Sequence, residues 1–374
     1  MIPLFGVQRQ TARLRAALDA RIAAVLDHGG FVLGPEVAAF EARLAAYCGA
    51  GGAVGVGSGW SALHIALLAE DVGPGDAVFV PAFTFTATAD AVVAVGATPV
   101  FVDVAPETLN MAPGALARAL EAVRREGRLR PRHVIAVDLF GFPADYAGLA
   151  AVAAEGPEPL RLLSDAAQSF GGSRDGVRVG AMAPVTALSF YPTKPLGGLG
   201  DGGAILSDDE GLLSRYRSIR NCGRGPDGLQ AEPAGPTARL DTLQAAVLLA
   251  KLDSFDAELA RKREIAAFYS SALAGLADLP PPAAEAESAW ALYTIRCAAR
   301  DRVRAALAEA GVATAIYYAA PLPHHPAFRH LAPPAGALLV AEDAAARALS
   351  LPMHAELTDA EVETVCAAAR AALS

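Results

Sequence analysis

From about residue 50 the chain alternates short runs of β-branched or apolar residues with longer stretches whose apolar positions recur at helical spacing. "GGAVGVGS" leads into "WSALHIALLAE", "AVFVPAF" into "TATADAVVAVG", and "PVFVDV" into "PGALARALEAVRRE". "HVIAVDLF" then precedes "ADYAGLAAVAAE", and "RLLSDA" follows. Strands of four to six residues separated by helices of ten or more predict βαβ units and a mostly parallel sheet flanked by helices. "GGAILSD", after Lys194, reads as one more strand, the antiparallel one that a mixed sheet tolerates. "LDTLQAAVLLAKLDSFDAELARKREIAAFYSSAL" reads as one long helical pattern, ending before a "LPPPAAEAES" linker. Beyond it, "AWALYTIRCA" and "ATAIYY" read as strands, and "RDRVRAALAEAG" and "TDAEVETVCAAARAAL" as helices, the last capped by Thr358. The pattern therefore predicts a large α/β domain over 1–250, with an N-terminal helical segment, and a small α+β domain over 251–374.

Composition narrows the function more than the fold. The 374 residues suffice for a sizeable core. The hydrophobic fraction of 53% is rich in alanine, and no uncharged apolar run approaches the roughly 18 residues of a spanning helix. The opening "MIPLFGVQRQ" shows no basic start followed by an apolar stretch, so a cytoplasmic protein is expected. A formal net charge of −9 argues against a nucleic-acid partner. Cys48, Cys222, Cys297 and Cys366 form neither a zinc pattern nor a disulfide framework. His324, His325 and His330 cluster without a carboxylate or thiol at ligand spacing, so no metal site is expected.

Chemistry is concentrated where strands end, because ligands of parallel α/β sheets sit beyond the C-terminal strand ends. Gly57-Ser58-Gly59-Trp60-Ser61 lies between a strand and a helix, where free N–H groups suit a phosphate; it reads equally as a plain turn. Asp165, in "SDAAQ", reads as a helix cap or as a site carboxylate. "SFYPTKPLGGLGDGGAI" holds Lys194 before a glycine string. That string precedes a strand and lacks GK[ST], so it is neither a dinucleotide fingerprint nor a P-loop. A lysine amine, an aspartate and a helix N-terminus together suit carbonyl chemistry on a phosphorylated pyridine aldehyde. The glycines are expected to clear that ring's face, and the lysine to have its pKa lowered by desolvation.

"SDAAQSFGG", "SFYPTKPLGGLGDGGAI" and "RLDTLQAAVLLAKL" resemble the DegT/DnrJ/EryC1/StrS family of pyridoxal-phosphate (PLP) sugar aminotransferases of fold type I. The similarity runs from "FVLGPEVAAFEARLAAY" to "LSLPMHAELTDAEV". "VDLFGFPADY" and "YPTKPLGG" lean toward the branch that aminates nucleotide-linked 3-keto hexoses and hexuronates. The resemblance implies a seven-stranded, mostly parallel sheet and the PLP and pyridoxamine phosphate forms of the cofactor. It makes Lys194 the Schiff-base lysine and Asp165 the partner of the pyridinium nitrogen. Gln168 would bond the ring hydroxyl, Ser189 and the Gly59–Ser61 turn the phosphate, and Phe85 would stack on the ring. Thr237 and Arg239 would reach into the neighbouring subunit's site, Thr237 to the phosphate and Arg239 to the substrate, in a homodimer with shared active sites. Arg220 and Arg224, and Tyr317 and Tyr318 at the entrance, are further substrate-binding candidates. The partners implied are a keto sugar and an amino-acid donor, L-glutamate.

Three positions depart from the family pattern. Trp60 stands where a threonine or serine is usual, Thr237 where an asparagine is, and Cys222 where a histidine is common. A looser grip on the cofactor, or a pocket reshaped by the indole, is the expectation. Two other functions remain open on these residues. One is PLP-dependent elimination or dehydration on a sugar or cyclitol, whose known practitioners replace the lysine by histidine. The other is a non-catalytic member with weakened cofactor binding.

Overall fold

The structure, a computed structural model, describes residues 1–156, 158–225, 231, 234–282 and 286–374. Three helices, α1 (Val7–Arg13), α2 (Arg15–His28) and α3 (Pro35–Cys48), precede the sheet. The βα alternation follows as β1 (Gly52–Val56), α4 (Gly59–Ala69), β2 (Asp76–Pro81), α5 (Ala87–Ala94), β3 (Thr98–Val102) and α6 (Pro113–Glu126). It continues through β4 (Arg130–Val137), α7 (Tyr146–Ala153) and β5 (Arg161–Asp165). A small hairpin, β6 (Ser173–Arg174) and β7 (Val177–Arg178), leads to β8 (Val185–Ser189), β9 (Gly203–Ser207) and α8 (Glu210–Ile219). The order across the seven-stranded sheet is β1-β9-β8-β5-β4-β2-β3. Only β9 runs antiparallel to its neighbours. Strands covered on both faces need continuous apolar runs, and every residue of β2 is buried.

The C-terminal part comprises α9 (Thr242–Leu252), α10 (Phe255–Leu273), β10 (Tyr293–Arg296), α11 (Arg300–Glu309), α12 (Leu339–Arg347), β11 (Ala348–Leu351) and α13 (Asp359–Leu373). Thr358 caps α13 in a reciprocal box with Glu361. Two expectations need correction. The long helical pattern breaks at Asp253 and Ser254 into α9 and α10, since short polar side chains compete with the helical backbone and favour its ends. "ATAIYY" is no strand; Ala315 alone bridges Ser350. The partner of β10 is instead "ALSL" in β11, which emerges straight from α12 and carries no turn signal before it.

A cut at 250 also misses how the chain packs. It falls inside α9, and Leu322, Phe328, Leu338 and Ala341 join the core beneath the large sheet with Phe101 and Val104. The core of the small unit is built from Ile265, Tyr293, Val303, Leu349 and Val365, with Ile2 from the N-terminus packed on it. Ile2 bridges Val312, and Arg9 pairs with Glu361 at 2.7 Å. The N-terminal residues thus fasten the two parts together.

Candidate active site

Asp165 is the last residue of β5, and the sheet register lays it beside Val137 of β4 and Ala187 of β8. Its carboxylate is buried. It accepts a bond from Thr88 Oγ1 on α5 at 2.8 Å and from the Ala167 N–H at 3.3 Å. Lys194 stands on the loop that joins β8 to β9 and is half-buried. Burial raises the Asp165 pKa, with Thr88, the Ala167 N–H and the charge of Lys194 opposing it. Burial lowers the Lys194 pKa, and the charge of Asp165 works against that. The two groups therefore lie in one another's field, Lys194 being the cation that acts on the carboxylate among the described residues, and the amine is drawn toward its neutral, nucleophilic form.

The Lys194 loop is tied to itself. Phe190 N–H donates to the Gly202 carbonyl at 2.8 Å, Gly198 N–H to the Phe190 carbonyl at 2.7 Å, and Lys194 N–H to the Tyr191 carbonyl at 2.8 Å. Gln244, on α9, accepts from the Leu199 N–H at 2.9 Å. Two of the glycines serve this closure. A Cβ at Gly197 would stand 2.3 Å from the Pro192 carbonyl oxygen, and one at Gly198 2.7 Å from Gln244 Oε1.

A second cradle forms where α4 begins. Ser58 caps the helix, accepting from the Ser61 N–H at 3.0 Å and lying 2.9 Å from the Ser61 hydroxyl. The first N–H groups of a helix have no partner within it, which leaves those of Gly59 and Trp60 without a helical acceptor. The turn packs directly on β8 and β9: a Cβ at Gly59 would meet Ser189 Cβ at 2.7 Å, and one at Gly203 the Ser58 carbonyl oxygen at 2.4 Å. Ser189 and the Gly59–Ser61 turn are thus in contact. The Trp60 side chain stacks on His64, one turn further along α4, with ring centroids 4.7 Å apart.

Gln168 is buried two residues beyond Ala166, its Oε1 accepting from the Phe140 N–H at 2.7 Å and its Nε2 donating to Tyr318 Oη at 3.2 Å. The Tyr318 ring lies 6.0 Å from Phe83 and 6.2 Å from Phe85, and Tyr317 lies 5.7 Å from Tyr318. Phe85 is exposed. An aromatic wall therefore stands above Asp165 and Gln168.

The remaining predicted residues fall elsewhere. Thr237 and Arg239 lie on an extended stretch that bridges Asn221 and Val56 respectively. Thr237 Oγ1 is 3.1 Å from Cys222 Sγ, and Arg239 donates to Asn221 Oδ1 at 2.9 Å. Arg224 bridges Ala231, and the rest of the Gly/Pro-rich loop, 226–230 and 232–233, lies outside the described residues. Arg220 needs correction as a substrate ligand. Its guanidinium is buried, pairs with Glu41 and donates to the Gly55 carbonyl at 2.7 Å. A buried cation held by a carboxylate and a backbone carbonyl of its own chain serves the fold first. Sequence reasoning missed Thr88, which only its place at the start of α5, beyond a strand end, could have suggested. It also missed the Gln168–Tyr318 bond, which joins residues 150 positions apart.

A buried carboxylate whose one cation is a lysine, a helix start open to an anion and an exposed phenylalanine fit PLP: its pyridine nitrogen, phosphate and ring face. Fold and site together define a PLP-dependent transferase of fold type I. The sequence pattern of the DegT/DnrJ/EryC1/StrS aminotransferase family matches residues 13–370, and the chain belongs to that family. It is 40% identical over 370 residues to UDP-2-acetamido-2-deoxy-3-oxo-D-glucuronate aminotransferase of Pseudomonas aeruginosa, covering 98% of this chain and 99% of the relative. It is also 40% identical over 358 residues to dTDP-3-amino-3,4,6-trideoxy-alpha-D-glucose transaminase of Streptomyces venezuelae, covering 95% and 92%. A DegT/DnrJ/EryC1/StrS aminotransferase from Brucella abortus superimposes with a TM-score of 0.96 at 42% identity, covering 99% of each chain. The protein is a PLP-dependent aminotransferase. Among the described residues no helix is long and apolar enough to cross a membrane.

Proposed function

We propose that this aminotransferase moves an amino group from L-glutamate to the 3-keto position of a nucleotide-linked hexose or hexuronate. The observation that carries the reading is the buried Asp165 carboxylate at the end of β5, with the half-buried Lys194 of the β8–β9 loop as the cation in its field. The two relatives named above, whose names place a 3-oxo or 3-amino group on a nucleotide-linked sugar, support the choice of substrate. When bound, PLP supplies a reactive carbonyl and an electron sink.

The chain's own residues supply the rest. Asp165 would hold the ring nitrogen in its charged form, and Gln168 would bond the ring hydroxyl. The N-terminus of α4 and Ser189 would hold the phosphate, and Phe85 would stack on the ring. Lys194, held toward neutrality by burial, accepts a proton from the donor's carbon and returns one to the sugar carbon. Tyr317 and Tyr318 line the entrance.

We further propose a homodimer. Phe31, Val32, Leu33, Tyr191 and Leu199 are exposed large apolar residues around the Lys194 loop. Val32 bridges Asp241 at the start of α9, whose Gln244 holds Leu199, so much of this surface is continuous and suits a second copy. Arg239 and Thr237 would cross there into the partner's site. All four cysteines are free, in keeping with work in the cytoplasm.

The test loads the protein with pyridoxamine phosphate and offers nucleotide-linked 3-keto sugars, 4-keto sugars and cyclitol ketones. Conversion of the cofactor to its aldehyde form by the 3-keto sugars is expected. Conversion by cyclitol ketones or 4-keto sugars alone would overturn the substrate assignment. Lys194→Ala should lower turnover by at least about a thousand-fold, and a variant retaining wild-type turnover would overturn the role of the lysine.

A further inference from the structure

Behind Asp165 lies a second carboxylate that the reaction does not use. Asp138 follows β4 directly and has no accessible surface. Its Oδ1 accepts from Tyr146 Oη at 2.7 Å and from the Ala144 N–H at 2.8 Å, and its Oδ2 from Ser169 Oγ at 2.6 Å. Tyr146 Oη, having given its proton to Asp138, accepts from Ser164 Oγ at 2.5 Å. The Asp138 N–H donates to the Asp165 carbonyl at 3.1 Å. Among the described residues no lysine, arginine or histidine pairs with Asp138.

The consequence is geometric. Ser164 and Ser169 bracket the segment that carries Asp165 and Gln168. Both ends of that segment are tied to the one carboxylate, the first through Tyr146 and the second directly, while a backbone bond holds the middle. Two residues on, Phe140 N–H holds Gln168 itself. A buried carboxylate without a cation is costly unless its lone pairs are filled, and here three donors from two separate segments, 144–146 and Ser169, fill them. Burial pushes the Asp138 carboxyl up to about 6, with Ser169, Ala144 and Tyr146 drawing it back and Asp165 adding to the rise. The charged form, which alone can accept from all three donors, is the one present at neutral pH.

We infer that Asp138 is a positioning residue: its carboxylate fixes the Ser164–Ser169 segment and so sets where Asp165 and Gln168 meet the cofactor ring. This rests on the assignment of those two residues to the ring. A ring contact held to a few tenths of an ångström depends on the groups behind it as much as on the contact itself.

The experiment reconstitutes Asp138→Ala, Tyr146→Phe and, as reference, Asp165→Asn with pyridoxal phosphate. It measures the cofactor dissociation constant, the visible absorbance band and the melting temperature. Asp138→Ala is expected to weaken the cofactor by about ten-fold or more and to displace the band, with Tyr146→Phe doing so by about three-fold. If Asp138→Ala fails to fold, Tyr146→Phe decides alone. A fall in melting temperature with the dissociation constant within about two-fold and the band unmoved would show a merely structural carboxylate and overturn the inference. If Asp165→Asn displaces the band while the other variants do not, the inference alone falls; if it too has no effect, the assignment of Asp165 falls with it.

Discussion

Asp165 is shaped for a bound partner and not for the empty protein. Its folded pKa is raised, chiefly by burial. A carboxyl so shifted contributes stability that is present below its unfolded pKa and lost as the pH climbs through its folded one. At pH 7 the empty protein therefore bears a cost that a ring cation opposite the carboxylate would relieve. Asp165→Asn removes that cost. The apoprotein variant should melt above the wild type at pH 7, with the gap narrowing as the pH falls to 5, while transamination drops by about a hundred-fold or more. Paired melts of the two apoproteins at the two pH values measure it; a variant that melts lower at pH 7 would sink the idea. His354, whose pKa burial lowers to about 4, drains stability in the opposite direction as the pH falls, so only the difference between variants is informative. At this scale the sequence singles out residues where chemistry demands rare types together, as at Lys194, Asp165 and Gln168. It does not single out Thr88 and Asp138, because a threonine or an aspartate acquires meaning only from burial and from partners 77 and 31 positions away.

Among the elements, α3, α8 and β1 meet at one buried ion pair. Glu41 of α3 accepts from the Gly55 N–H of β1 at 2.7 Å and from Arg220, which caps the C-terminus of α8 and also reaches the Gly55 carbonyl. The strand edge is thereby satisfied in both donor and acceptor by one acid and one base from two helices. Truncating one member of such a pair leaves the other buried and unpaired, which costs about 3–5 kcal/mol. Arg220→Met should therefore lower the denaturation midpoint markedly, while the KM for the sugar in the surviving folded fraction stays within about two-fold. A large KM change without loss of stability would return Arg220 to the substrate site. The βα alternation was legible because each strand carries a short apolar run and the helical spacing resumes after it. The break between α9 and α10 was less so, since "LDSFD" interrupts an apolar periodicity that resumes at once. β11 was hidden because four residues of "ALSL" carry no alternation, and only the pairing with β10 makes them a strand.

For the molecule as a whole, the exposed apolar residues Phe31, Val32 and Leu33 and the exposed Leu199 of the Lys194 loop are linked through the start of α9, so the proposed dimer would join association to activity. Arg239 makes the point testable. Within its own chain its guanidinium meets only a neutral amide, Asn221, among the described residues, which leaves its charge for an anionic group elsewhere. If that group belongs to substrate in the partner's site, each active site needs Lys194 from one copy and Arg239 from the other. Lys194→Ala and Arg239→Ala should each be nearly inactive alone. Mixed in equal amounts under conditions that let subunits exchange, half the dimers pair unlike copies, and each of those regains one intact site of two. Activity should then recover to about a quarter of the wild type. If the arginine serves its own chain's site instead, every site in every mixed dimer carries one defect and no recovery occurs. Copurification of an untagged variant through an affinity tag on the other separates that outcome from a failure to mix, and mixed dimers without recovery would place Arg239 in the site of its own chain.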